Sequence, residues 1–429
     1  MRGEWRVAGD RAQEGETGRQ AAGAPDLPLP EAASLRLAYF SPLPPARSGI
    51  ADYSRELLTR LAQRARVDVF SADPAAVDPA LRQQVPLYPL DHYPRRRWQY
   101  DVALYQMGNS AHHEAIYRLL RRYPGVVVLH DLVLHHFIAD RTAGRGDYPG
   151  YVRELAYAGG AAGIHRAWAI HAGEAPHPLA TVPLNERVVD LSLGAIVHSR
   201  YAQRRLQVAQ PARPVHAVPA PVAVRPGRPR RDALPWPEDA LIFASLGQVT
   251  ASRRLDEALR AFARLHERQP QARYLIAGEL LPDADVAGAI KALGLGEWVH
   301  VTGYVDGLQA FVDWAATADV VVNLRRPTLG ETSATALRAL AAGRALVVSD
   351  HGWYAELPDA VAVKVPPGDE GALLAALERL AREPERRARL GDAARAYVVA
   401  EHDPGRVADA YLEAIGEILR HVVARGAYG

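Results

Sequence analysis

The fold is decided by residues 325–358, which read RRPTLGETSATALRALAAGRALVVSDHGWYAELP. The apolar run Val320–Leu324 precedes them and is typical of a buried parallel strand. A turn rich in Pro, Gly, Thr and Ser follows, and then an Ala/Leu-rich helix over Ala334–Ala342. Ala345–Ser349 is predicted to be the next strand. This order directs backbone N–H groups and the positive helix end to one point, where an anion can bind. An ordinary βαβ unit without a ligand has the same pattern.

Composition limits the classes of protein that need to be considered. The chain has 429 residues, which is enough for two domains, and its net charge of +2 gives no basic footprint for nucleic acid. It has no cysteine, which excludes disulfides and thiolate metal sites and is compatible with a reducing cytoplasm. No apolar run approaches the roughly 20 residues of a membrane helix. We therefore expect a cytoplasmic protein, and peripheral contact with the inner face of the membrane stays open.

The N-terminal half is predicted to be one α/β domain, residues 35–215, behind a disordered extension, residues 1–34. Its first strand, Leu35–Phe40, is followed by a Pro-rich loop and a helix that begins near Ile50. Ser48 and Gly49 therefore stand at a helix N-terminus, where Ser48 either faces an anion or serves only as a cap. Further strands are predicted at Val67–Ser71, Asp101–Gln106, Gly125–His130 and Ala195–His198.

A group of histidines raises the question of a metal site. His130 and Asp131 follow a predicted strand, and His135 lies five residues beyond His130. That spacing does not match two ligands on one helix face, so no metal is predicted. His130 either lines a ligand cleft or is a structural histidine with satisfied hydrogen bonds.

A run of prolines between Pro211 and Pro237 separates the two halves, and we assign residues 216–238 as a linker. A second alternating series occupies residues 239–400, and a C-terminal helix, 401–429, is predicted to return to the first domain. Its predicted strands are Leu241–Leu246, Tyr274–Ala277, Val299–Thr302, Val320–Leu324, Ala345–Ser349 and Val361–Val365. The fold class is therefore α/β, with two doubly wound, Rossmann-like parallel-sheet domains that face a central cleft.

Two arginines follow the first strand of the second domain. Gly247 begins a turn in which Arg253 and Arg254 immediately precede a predicted helix. Arg253 is well placed there to bind a phosphate, although a solvated surface arginine fits the same pattern.

The order and spacing of several motifs resemble those of the retaining glycosyltransferases of family four, which have the GT-B architecture. The resemblance runs from about Leu35 to the C-terminus. Its motifs are SPLPPARSGIADYS (41–54), VVLHD (127–131), IVHSRYAQRRL (196–206), GQVTASRRLDEALRAFARL (247–265), VTGYV (301–305) and the stretch 325–358.

The resemblance implies a role for individual residues. Arg253 would bind the donor diphosphate, and the catalytic group would be His130, Asp131, Arg253 and Glu331. Acceptor contacts would come from Asp52, Tyr53, His130 and Asp131. Donor contacts would come from Ser48, Gly49, Gly247, Gln248, Arg253, Tyr304, Val305, Gly330, Glu331, Thr332, Ser333 and Arg338.

Three positions depart from the family pattern. Gln248 stands where the family usually has a second basic residue. Gly330 and Arg338 stand where the family usually has two glutamates, one near the sugar and one on the ribose. Ribose recognition by a carboxylate is therefore unsupported by sequence, and Arg338 is expected to meet a charged group or to face solvent.

The implied activity is transfer of a sugar from a nucleotide sugar to an acceptor hydroxyl, with retention and without a metal or cofactor. The acceptor could be a polysaccharide, a lipid-linked glycan or a small molecule. Two alternatives stay open. One is a phosphorylase or epimerase of the same fold that binds a nucleotide sugar, and the other is a degenerate GT-B protein that does not catalyse transfer.

Overall fold

The computed structural model describes residues 35–425. The predicted extension, residues 1–34, lies outside the described residues, as do the last four residues, 426–429. Two parallel-sheet α/β domains are present, which confirms the predicted fold class.

The first domain has a seven-stranded parallel sheet. Its strands are β1 Arg36–Phe40, β2 Arg66–Ser71, β3 Leu87–Pro89, β4 Val102–Met107, β5 Val126–Leu129, β6 Gly194–Val197 and β7 Val215–Ala217. Their order in the sheet is β3-β2-β1-β4-β5-β6-β7. The helices of this half are α1 Gly49–Leu61, α2 Pro79–Arg82, α3 Tyr93–Arg96, α4 Glu114–Leu120, α5 His135–Arg141, α6 Tyr148–His171 (broken at Gly160), α7 Glu186–Asp190 and α8 Arg200–Ala209.

The second domain has a six-stranded parallel sheet. Its strands are β8 Leu241–Leu246, β9 Ala272–Ala277, β10 Val299–Val301, β11 Val320–Asn323, β12 Ala345–Ser349 and β13 Val363–Val365. Their order is β10-β9-β8-β11-β12-β13. In each sheet the strand order reverses beside the first strand of the domain, between β1 and β4 and between β8 and β11, as in a doubly wound fold. The helices are α9 Leu255–Arg268, α10 Val286–Ala292, α11 Leu308–Thr317, α12 Ala334–Ala341, α13 Glu370–Arg382, α14 Pro384–Glu401 and α15 Pro404–Ala424.

Burial explains why these segments become strands. All residues of β4, β5, β6, β11 and β12 are buried, because helices cover both faces of a doubly wound sheet. The sequence analysis did not find β3 and β7, which have only three residues each and contain or adjoin proline. The last strand, Val215–Ala217, continues the first sheet into the segment that we had assigned to the linker.

The chain passes between the domains twice, and the two crossings touch. The first crossing is the extended segment after β7, and the second is the junction of α14 and α15. The N–H of Val222 donates to His402 O at 2.9 Å, and His402 Nδ1 donates to Ala220 O at 2.7 Å. Beyond this junction α15 packs on α1 of the first domain, where Arg64 pairs with Asp409. The C-terminal helix thus belongs to the core of the first domain.

Within residues 35–425, none of the helices combines the length and the apolar character that crossing a membrane requires.

Candidate active site

The carboxyl edges of the two sheets face each other across a cleft. Ligands of doubly wound sheets bind where the strand order reverses, which is between β1 and β4 in one domain and between β8 and β11 in the other. The loops that follow these four strands all contribute to the walls of the cleft. Topology alone therefore brings four loops, two from each domain, to one place.

The cleft consists of two cavities that meet. The large cavity has a volume of about 930 Å³ and the small cavity about 380 Å³. Both are lined by Ser48 and Gly49 from the first domain and by Ala334 and Arg338 from the second. We call these four residues the waist of the cleft.

Two helix N-termini meet at the waist, one from each domain. Helix α1 begins at Gly49, and the hydroxyl of Ser48 accepts a hydrogen bond from the N–H of Ile50 at 3.2 Å. Helix α12 begins at Ala334, and the hydroxyl of Ser333 accepts from the N–H of Ala336 at 3.2 Å. Because each helix carries partial positive charge at its N-terminus, the waist favours an anion.

Arg253 lies beneath the small cavity and is half-buried. Its Nη1 donates to Asn323 Oδ1 at 2.6 Å, and its Nη2 donates to Thr335 Oγ1 at 3.4 Å. Burial, together with the nearby Arg325, lowers the pKa of Arg253 to about 10. Within residues 35–425, no carboxylate forms an ion pair with it. Desolvation of a guanidinium that lacks an anionic partner is unfavourable, so this position is suited to an anionic ligand.

The sequence analysis predicted that Arg253 touches the donor diphosphate. In the structure it lines neither the large nor the small cavity, and one layer of side chains and backbone separates it from the cleft. That layer includes Gly247 and Thr335, which do line the small cavity. A Cβ on Gly247 would lie 2.8 Å from the Thr335 hydroxyl, so glycine keeps this layer thin.

Glu331 forms the turn before α12 instead of lining a cavity. Its Oε1 lies 2.8 Å from Arg325 Nε, and its Oε2 accepts from the N–H of Leu329 at 2.6 Å and from the Thr328 hydroxyl at 3.1 Å. The hydroxyl of the following residue, Thr332, lies beside the large cavity and donates to His198 O at 3.1 Å. Glu331 therefore holds the turn in its conformation, and Thr332 is the neighbouring residue whose side chain lies beside the cleft.

Gly330 lies against the first domain. The N–H groups of Leu132 and Val133 donate to Leu329 O at 2.9 and 3.0 Å, so the turn binds the backbone after β5. Gly330 has φ +80°, and a Cβ there would lie 2.6 Å from Leu132 Cβ. A side chain at this position would therefore overlap Leu132.

His130 and Asp131 line the large cavity. His130 Nε2 lies 2.8 Å from Gln106 Oε1, and burial holds the pKa of His130 well below its ordinary value, so the ring is neutral. Asp131 Oδ2 accepts from the N–H of Asn109 at 3.1 Å. Burial, reinforced by the charge of Glu331, raises the pKa of Asp131 to about 7. At neutral pH this carboxyl can therefore exchange a proton.

Across residues 35–425, His, Cys, Asp and Glu do not form a group of three that could hold a metal ion. His130 is instead packed between aromatic rings, 4.6 Å from the Tyr53 ring and 4.9 Å from the His198 ring.

Seven of the residues that were assigned to the donor line the small cavity: the waist residues Ser48, Gly49 and Arg338, and in addition Gly247, Gln248, Tyr304 and Val305. Gln248 Nε2 donates to Glu279 Oε2 at 3.2 Å. The ring of Tyr304 is exposed, and the guanidinium of Arg47, from the first domain, lies 4.3 Å from its centroid.

Asp52 and Tyr53 were both assigned to the acceptor, but the structure separates them. Tyr53 lines the large cavity, and its hydroxyl bonds to that of Tyr411 on α15. Asp52 lines the small cavity, beside the residues assigned to the donor. Arg338 lies between the cavities and pairs with Glu56 at 3.5 Å and with Asp52 at 3.9 Å. It thus meets charged groups of the first domain, one of the two expectations for this residue.

Sequence reasoning missed three contributors to the cleft. Arg325 follows β11 and pairs with Glu331, and Asn109 follows β4 and holds Asp131. Both positions follow strands at which the sheet order reverses, so the predicted topology could have indicated them. No sequence pattern indicates Glu56, because only the packing of the two domains brings it to Arg338.

Comparison with known proteins agrees with this geometry. Residues 228–397 match the family described as glycosyl transferases, group 1. No curated protein is significantly similar in sequence. The family match covers the second domain, and the two Rossmann-like domains have the GT-B arrangement; together they indicate a glycosyltransferase.

Several solved structures share the fold over both domains. A sucrose-phosphate synthase from Thermosynechococcus elongatus has a TM-score of 0.62 at 17% identity, covering 91% of this chain and 100% of that one. HepE of Anabaena, in complex with UDP-glucose, has a TM-score of 0.61 at 13% identity, covering 90% and 99%. A glycosyltransferase from Rickettsia africae has a TM-score of 0.60 at 11% identity, covering 90% and 99%. At these identities the likeness concerns the fold.

Proposed function

We propose that the chain transfers a sugar from a nucleoside-diphosphate sugar to an acceptor hydroxyl. One observation carries the proposal. Two helix N-termini, one from each domain, meet at the waist, and Arg253, which has no carboxylate partner within residues 35–425, bonds to Thr335 directly beside it. Both features favour a multiply charged anion at that point. A diphosphate fits because groups can extend from it into the cavities on both sides.

The nucleoside would occupy the small cavity, with its base beside Tyr304 and Val305, and the sugar would occupy the large cavity near His130 and Thr332. The two volumes fall within the range of small-molecule sites. HepE, which has the same fold, is described with UDP and with UDP-glucose, and this supports a nucleotide sugar as donor.

The chemistry follows from the charge that develops. The anomeric C–O bond breaks, and its electron pair goes to the departing diphosphate. The N–H groups of the helix N-termini would donate to that charge, and one such preorganised donor lowers the barrier by about 3 kcal/mol. Arg253 would stabilise the same charge from behind Gly247 and Thr335, without a direct hydrogen bond to it. These groups would take the role that a metal ion has in other transferases, so we infer a metal-independent reaction.

The acceptor would enter the large cavity from the first domain, beside Tyr53 and the His130–Asp131 loop. By resemblance to family four, its hydroxyl would attack the face from which the diphosphate leaves, and the anomeric configuration would be retained.

A donor screen followed by turnover tests the proposal. UDP-, GDP-, ADP- and TDP-sugars are first compared by thermal shift, and each stabilising donor is then incubated with glycan, lipid-linked and small-molecule acceptors. We expect one donor class to stabilise the protein and to give a glycosylated product with retained configuration by NMR, unchanged after EDTA treatment.

Other outcomes of this screen would support the alternatives. Phosphate-dependent release of sugar 1-phosphate would indicate a phosphorylase, and an epimerised donor without acceptor would indicate an epimerase. Binding without turnover on every acceptor would indicate a protein that binds nucleotide sugars but does not transfer them.

A further inference from the structure

The small cavity is lined by three carboxylates, and one of them comes from the opposite domain. Glu279 and Asp306 belong to the second domain, whereas Asp52 is on α1 of the first. Two arginines hold Asp52: Arg55 Nη2 lies 2.7 Å from Oδ1, and Arg338 Nη2 lies 3.9 Å from Oδ2. The side chain of Asp52 is still 34% exposed, so a ligand can reach it.

The position of Asp52 along the cleft limits what it can contact. On α1 it follows Gly49 of the waist by three residues, which is about one helical turn. The proposed nucleotide has its diphosphate at the waist and its base beside Tyr304, and both positions border the small cavity. The ribose connects the diphosphate to the base and so lies in the small cavity, which Asp52 also lines.

We propose that Asp52 accepts hydrogen bonds from the ribose hydroxyls of the donor and thereby selects ribonucleotides. The inference rests on the proposed function. A carboxylate has two acceptor oxygens, which suits the two neighbouring hydroxyls of a ribose.

Arg338 and Arg55 make this arrangement electrostatically favourable. A carboxylate one turn from the waist would repel a diphosphate there if its charge were not balanced. The two arginines balance that charge and hold the carboxylate in place. Because the base contacts and Asp52 lie on different domains, the ribose contact forms only when the two domains are together.

The other two carboxylates are less suited to this contact. Glu279 Oε2 accepts a hydrogen bond from Gln248. Asp306 directly follows Val305, at the end of the cavity assigned to the base. In the described part of the chain neither forms an ion pair that would fix its orientation, in contrast to Asp52.

Calorimetry with matched nucleotides on the full chain tests the assignment. UDP, ADP and GDP are each compared with their 2′-deoxy and 3′-deoxy forms, on the wild type and on Asp52→Ala, Glu279→Gln and Asp306→Asn. For the nucleotide that binds, the wild type should prefer the ribose form by about tenfold, the loss expected for one hydrogen bond to a charged group. Asp52→Ala should bring this ratio close to one, whereas Glu279→Gln and Asp306→Asn should keep it.

The ratio, unlike the affinity itself, does not change merely because a variant loosens the cleft. If Asp52→Ala keeps the tenfold preference, if Glu279→Gln abolishes it, or if the wild type shows none, the assignment of Asp52 is overturned. TDP, a 2′-deoxyribonucleotide, is titrated as well: if it binds the wild type and UDP, ADP and GDP do not, the assignment of Asp52 is overturned and the proposed function stands. If none of the four nucleotides binds, the proposed function fails and the inference with it. If the wild type binds the ribose and deoxyribose forms equally well, the assignment of Asp52 fails and the proposed function stands.

Discussion

The Nη1 atom of Arg338, in the second domain, lies 3.5 Å from the carboxylate of Glu56, in the first. Both side chains are buried, that of Glu56 to 2% exposure, and Arg225 lies 3.8 Å from the same carboxylate. Burial raises the pKa of Glu56, and the two arginines oppose that rise. The pair therefore joins the two domains, and each charge depends on its partner across the interface.

Arg338→Gln is expected to lower the free energy of unfolding by about 3 kcal/mol, because Glu56 keeps only its more distant arginine partner. The double variant with Glu56→Gln should recover part of this loss, since no charge is then left buried. Urea denaturation of both single variants and the double variant measures the coupling. Arg264→Gln, which removes an exposed arginine of α9, is the matched control. A simple sum of the single effects would refute the pairing.

Arg253→Met should separate stability from activity. It removes a half-buried guanidinium that forms no ion pair within residues 35–425, and that gain offsets the hydrogen bond lost at Asn323 Oδ1. We expect an unchanged or higher Tm together with a loss of about tenfold in kcat, because Arg253 acts on the diphosphate through its charge and not through a direct hydrogen bond. Differential scanning calorimetry and steady-state kinetics measure the two effects. Full turnover in a folded Arg253→Met protein would remove Arg253 from the mechanism.

Gly330→Ala is expected to destabilise the contact between the domains. The backbone there has φ +80°, which costs about 1 kcal/mol for alanine, and the added Cβ would overlap Leu132. Both Tm and activity should fall. Gly296→Ala is the control, because a Cβ at Gly296 meets no atom within 4 Å. Equal behaviour of the two variants would show that the turn does not bind the first domain in solution.

Asp131→Asn should change how stability depends on pH. The pKa of Asp131 is raised from 3.8 to about 7, so the folded protein binds a proton that the unfolded chain releases. Its contribution to stability is therefore present at low pH and is lost as pH rises from about 4 to about 7. The slope is at most about 1.4 kcal/mol per pH unit.

Urea denaturation of the wild type and Asp131→Asn at several pH values between 4 and 8 measures this slope. The amide can still accept the hydrogen bond from Asn109, so the variant should fold and should lack the decline. Asp140→Asn, a change of a surface carboxyl on α5, serves as control. Parallel curves for the wild type and Asp131→Asn would show that Asp131 ionises normally.

The sequence was sufficient for features that depend on neighbouring residues. The apolar runs that became β8 and β12 were predicted with their actual bounds, and Ser48 and Ser333 were placed at helix starts. The sequence was insufficient for features that depend on how the two domains pack against each other. Asp52 and Tyr53 are adjacent in the chain yet line different cavities, since successive residues of a helix point in different directions. Likewise, the residues next to Gly330 in the sequence do not indicate that Leu132 packs against it.

The contact between the two domain crossings has a mechanical consequence. Because Ala220 and Val222 are bonded to His402, the crossings cannot move apart independently, and they form one shared pivot. Any separation of the two domains is then a hinge rotation about an axis near His402. Such a rotation would move Asp52 away from Tyr304 and leave the hydrophobic core of each domain intact.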